Sequence, residues 1–106
     1  MKLVEKVKIL YKTYVVKQID NLHDGGGDLY GQVDYIEQII RLNPRAQLDQ
    51  AKSTLLHEII HALSEVYCID LKEEQVEKLG TALYQLTLDN PELFEKEDLV
   101  DDTSKS

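Results

Sequence analysis

A single cysteine, Cys68, excludes an intramolecular disulfide, and its expected role is that of a small buried or half-buried side chain. No run approaches the roughly 18 apolar residues that a membrane span needs. The charged start Met1-Lys-Leu-Val-Glu-Lys-Val-Lys8 lacks the apolar core of a secretory signal, so the expectation is a cytoplasmic protein with no membrane partner. Basic charge is also scarce. Twelve Lys and Arg stand against 20 Asp and Glu, a net charge of -8 that argues against a nucleic-acid-binding surface. No internal repeat appears, and the only biased stretch is a short glycine run. At 106 residues there is room for one domain with a modest core and none for a second.

From Val7 to Val15 apolar and β-branched residues fall on odd positions, with Lys8 and Lys12 between, which predicts a half-buried strand. Asp24-Gly-Gly-Gly-Asp28 predicts a chain reversal, because glycine admits the positive φ that tight connections need. Leu29, Gly31, Val33 and Tyr35 alternate again, and Gln38-Ile-Ile-Arg-Leu42 has the length and branching of a further strand. The expected fold class is α+β, with a small antiparallel sheet of about three strands followed by two packed helices. Asn43-Pro44 fits a helix start, and a helical pattern runs on to about Tyr67. Asp70 is placed to cap a second helix, whose stripe Val76, Leu79, Leu83 and Leu86 should pack on the first before Asn90-Pro91 stops it. The domain is expected over residues 1–92. Residues 93–106 are acidic and poor in apolar material, the composition of a flexible tail.

The chemistry is concentrated in Thr54-Leu-Leu-His-Glu-Ile-Ile-His-Ala-Leu63, which spells H-E-x-x-H. Residues four apart share one face of a helix, so His57 and His61 can present imidazole nitrogens to one zinc ion. Glu58 stands one step round, where a carboxylate can take a proton from a water activated by the ion, as general-base hydrolysis of an amide requires. On a helical wheel Leu55, Leu56, Ile59, Ala62, Leu63 and Val66 form an apolar face, with Thr54, His57, His61, Ser64 and Glu65 opposite. A core-facing back and a histidine-bearing front suit a cleft, though an ordinary surface helix has the same two sides.

Two histidines are too few, since a catalytic zinc usually keeps three protein ligands. The acidic residues that follow are Glu65, Asp70, Glu73, Glu74 and Glu77. Glu65, one turn beyond His61 on the same helix, is better placed behind the ligands than among them. Glu74 points away. Glu73 and Glu77 share one edge of the second helix. Glu73 has a competing use, because Asp70-x-x-Glu73 fits a capping box, and Glu77 can simply be solvated, so spacing leaves both open.

Leu55-Leu-His-Glu-Ile-Ile-His-Ala-Leu63, with Glu73-Glu-Gln-Val-Glu-Lys-Leu-Gly80 and Leu83, resembles the ImmA/IrrE family of zinc metallo-endopeptidases. Tyr30-Gly-Gln-Val-Asp34 extends the likeness to small phage and prophage proteins, and the resemblance covers roughly residues 28–91. It implies a minimal zincin-like domain in which His57 and His61 bind Zn2+, Glu58 is the base, and Glu73, opening a relaxed form of E-x-x-A-N-x-F-A, is the third ligand. Metzincins fit poorly, because Ala62-Leu-Ser-Glu65 lacks their continuation to a third histidine.

Three functions are consistent with these residues. The first is a metallopeptidase acting on a cytoplasmic protein or peptide substrate, which would add as a strand along the sheet edge at Gln38 to Leu42. The second is a catalytically silent zinc-binding interaction protein of a phage or prophage, and the third a metal-free domain with an accidental motif. Tyr84 is a candidate oxyanion donor, although tyrosines at the edge of an apolar stripe more often pack. His23, beside Asp24, reads as a solvated turn residue. An exposed sheet edge and apolar helix flanks leave room for a homodimer, with no seam to mark it.

Overall fold

The structure, a computed structural model, describes residues 1–20, 23–24, 27–28 and 30–95, with 23–24 and 27–28 as backbone. The fold is α+β. Strands β1 (Lys6–Ile9) and β2 (Lys12–Gln18) form a hairpin, so the alternating segment expected as one strand is broken at Leu10-Tyr11, where Leu10 takes φ 56°. The turn shifts the phase of the alternation, so that Ile9 and then Tyr14 face inward, while Tyr11, Thr13 and Val15 of the expected odd-numbered set are exposed. Two short strands, β3 (His23–Asp24) and β4 (Gly27–Asp28), pair antiparallel, while Gly25 and Gly26 of the expected reversal lie outside the described residues.

Strands β5 (Gly31–Asp34) and β6 (Ile39–Leu42) complete a four-stranded sheet in the order β1-β2-β6-β5. It is mixed rather than antiparallel, because β6 enters beside β2 and runs parallel to it, with Val16 opposite Ile40. This insertion also corrects the expected substrate edge. The segment Gln38 to Leu42 lies inside the sheet, and β5 is the edge strand on that side. The β5–β6 turn is held by Asp34, whose Oδ1 accepts the N–H groups of Ile36 and Glu37 at 3.0 and 2.9 Å and whose carboxylate pairs with Arg41 at 3.5 Å.

Helix α1 (Leu48–Val66) lies across one face of the sheet, burying Leu55 and Ala62 against Ile9, Tyr14, Ile40 and Leu42. Full burial of a leucine or isoleucine side chain contributes roughly 1.5–3 kcal/mol. α1 starts later than Asn43-Pro44 suggests, because Asn43 makes a turn instead, its Oδ1 accepting the Arg45 N–H at 3.0 Å. Helix α2 (Glu73–Asp89) packs on α1 and not on the sheet, with Val76 and Gly80 at the contact. Val76 of its expected stripe is buried, but Leu79 and Leu86 are 41% and 40% exposed. Asp70 does not cap α2; it takes φ 63°, and the Lys72 N–H donates to Gln75 Oε1 at 2.8 Å. Leu93 to Glu95 continue past α2 in a turn, and the rest of the expected tail lies outside the described residues. Cys68 is exposed, contrary to expectation.

Candidate metal centre

His57 and His61 are one turn apart on α1, half-buried, with ring centroids 4.9 Å apart. Glu73, the first residue of α2, brings its carboxylate between them, with Oε1 2.9 Å from His57 Nε2 and Oε2 2.8 Å from His61 Nε2. Because Gln75 serves the α2 N-terminus, the Glu73 carboxylate is left to turn toward the histidines. The donor atoms of the three residues lie within 4.8 Å of one another, and this group can hold a metal ion. A tetrahedral ion with bonds of about 2.0–2.1 Å wants its donors roughly 3.3 Å apart, a spacing between the 2.8–2.9 Å carboxylate–imidazole contacts and the 4.8 Å limit of this group. Glu77, the other candidate, lines the cleft one turn along α2 but stands outside the donor group. Glu65 is exposed at the far end of α1.

Glu58 is 8% exposed, on the face of α1 that also buries Ala51, Leu55 and Ala62. Burial pushes its carboxyl up to about 7, the nearby Glu73 adds to this, and His57 opposes it. A carboxyl held near neutrality is suited to accept and release a proton at physiological pH.

The four residues form the floor of an open cleft of about 820 Å³. One wall is the edge strand, with Tyr30, Gly31, Gln32 and Val33, closed by Tyr35; the other is α2, with Glu77, Gly80 and Thr81. Gly31 lets β5 approach α1, since a Cβ there would stand 2.5 Å from Thr54 Cγ2.

Comparisons with protein-family models, curated proteins and solved structures found no match. The reading of this centre therefore rests on its own geometry.

Tyr84, considered as an oxyanion donor, does not line the cleft; its hydroxyl donates to Asp49 Oδ1 at 3.4 Å, bridging α2 to the start of α1. Tyr35 does line it and was missed as a site residue. Burial, then the charges of Glu58, Glu65 and Glu73, raise its hydroxyl above the usual tyrosine value. The available signal was its place in the inward alternation after Val33, which reveals facing but not the site it faces. No helix among the described residues is long and apolar enough to cross a membrane.

Proposed function

We propose that this protein is a zinc-dependent metallopeptidase that hydrolyses an amide bond of a protein or peptide substrate, as the resemblance to the ImmA/IrrE family also implies. The observation that carries this reading is the convergence of His57, His61 and Glu73 on one point beside the buried Glu58, at the floor of a cleft bounded by an unpaired strand edge. The donor set of two imidazoles and one carboxylate is that of a catalytic zinc with a position left open. When bound, the ion would supply Lewis-acid polarisation of the scissile carbonyl and acidify the attacking water.

The remaining steps belong to the chain. The outer edge of β5 offers backbone N–H and C=O groups to an extended substrate, which lies as an added strand with its scissile carbonyl over the histidines. Glu58 removes a proton from the attacking water and returns it to the leaving amine. The cytoplasm is the compartment proposed for this activity, with no nucleic acid or membrane taking part.

A second reading, a silent zinc-binding interaction protein, draws support from the site's place between helices. Glu73 comes from α2 and the histidines from α1, so an ion there would fasten α2 to the domain.

Elemental analysis of untagged protein tests the metal. About one zinc per chain is expected in the wild type, with loss in both His57→Ala and Glu73→Ala; a wild type that takes up no zinc would remove both readings. Glu58→Gln separates them. It should retain zinc and lose cleavage of a quenched-fluorescence peptide library by at least about a hundredfold.

A further inference from the structure

Hydrolysis through this cleft creates negative charge on the scissile carbonyl oxygen, and a site that lowers the barrier normally directs a fixed donor at it. Several polar side chains of the cleft are already engaged. Gln50 Nε2 donates to Thr54 Oγ1, and the Thr81 hydroxyl donates to the Glu77 carbonyl. Tyr30 is largely exposed, without packing to fix it. Tyr35 differs on each count. Its ring packs against the buried cluster of Ile9, Tyr14, Ile40 and Leu42, its backbone is set by the Asp34 turn, and it lies in the cleft wall with the four site residues. No hydrogen bond among the described residues engages its hydroxyl.

We propose that Tyr35 is a catalytic residue whose hydroxyl donates a hydrogen bond to the scissile carbonyl oxygen as it becomes an oxyanion. This inference rests on the hydrolytic reading above. As the water oxygen bonds to the carbonyl carbon, the C=O π pair moves onto oxygen, Glu58 holds the proton released, and Tyr35 stabilises the new charge without giving up its own proton. Collapse restores the C=O bond and breaks the C–N bond, and the amine departs with the proton from Glu58. A ring anchored in the core meets this charge without reorganising, which is what makes such a donor effective.

The test uses the full zinc-loaded chain and the best-cleaved member of a quenched-fluorescence peptide library. Tyr35→Phe keeps the ring and removes the donor. Its kcat should fall by about 10²-fold or more, with KM within about twofold and with zinc content and thermal midpoint unchanged. Tyr84→Phe, outside the cleft, should keep wild-type kcat. A Tyr35→Phe kcat within threefold of an active wild type overturns this inference and leaves the hydrolytic reading standing. A fall accompanied by loss of zinc or of folding would make Tyr35 a structural residue and also overturn it. A zinc-loaded wild type that cleaves nothing in the library removes the hydrolytic reading and this inference with it.

Discussion

A Cβ on Gly31 would meet Thr54 Cγ2 at 2.5 Å and the Arg41 carbonyl oxygen at 3.1 Å, so β5 can lie this close to α1 only because that position has no side chain. The Arg41 contact is backbone, which cannot rotate aside. Gly31→Ala should therefore cost about 2 kcal/mol, as overpacking does, and urea unfolding of the two proteins measures it. The alternation of Gly31, Val33 and Tyr35 was legible, because period 2 assigns a side of the sheet. The need for glycine was not, since it arises from a helix more than 20 residues later in the chain. The metal ligands divide in the same way. His57 and His61 are four apart on one helix, so local geometry pairs them, whereas Glu73 and Glu77 could be separated only once α2 had been placed against α1.

Both helices were evident from periodicity, but their ends were not, because Asn43 and Asp70 have side chains that serve turns as readily as caps. The link between the helices also departs from the usual chemistry. Ile69 N–H donates to the Ser64 carbonyl at 2.9 Å and Cys68 N–H to that of Glu65 at 3.3 Å, closing α1 with the paired bonds that normally have glycine in the left-handed position. Cys68 occupies that position with φ 56°. Cys68→Gly should relieve the strain and stabilise the protein by about 0.5–1 kcal/mol, raising the thermal midpoint by a few degrees. Gly80 is the opposite case. It sits inside α2, where a Cβ would meet Ile60 Cδ1 at 3.6 Å and His57 Cα at 3.8 Å, ordinary contacts. Gly80→Ala should stabilise by about 0.5–1 kcal/mol by restricting the unfolded chain, read from the same melting curves. A clash with α1 would instead appear as destabilisation. Strand order was the least legible feature, since the parallel pairing of β2 with β6 depends on three intervening strands and leaves no local pattern.

Across the folded chain, acidic groups outnumber basic ones and most stay at the surface, yet Glu58 is enclosed. Its carboxyl is raised from 4.5 to about 7 by burial, so its ionisation is coupled to folding. Below about pH 4.5 it is protonated in both the folded and the unfolded chain. Between about 4.5 and 7 the unfolded chain loses the proton first, so stability contributed by the neutral buried group declines as pH rises through that window. Above about 7 the folded form must bury a charge, and the accumulated loss is at most about 3 kcal/mol. Asp34 acts with the opposite sign at lower pH. The N–H groups of Glu37 and Ile36 and the nearby Arg41 hold its carboxyl below the usual range, so its contribution is lost as pH falls through its folded value. Comparing wild type with Glu58→Gln at each pH cancels Asp34. In chelator-treated protein, the glutamine variant should gain on the wild type between pH 5 and pH 8, by about 2 kcal/mol in urea unfolding. With zinc supplied, the gain should shrink, because a cation at His57, His61 and Glu73 favours the Glu58 carboxylate. If the two chelator-treated proteins kept a constant difference across this range, Glu58 would ionise in the fold as freely as in water, and the argument for a neutral-pH base would fail.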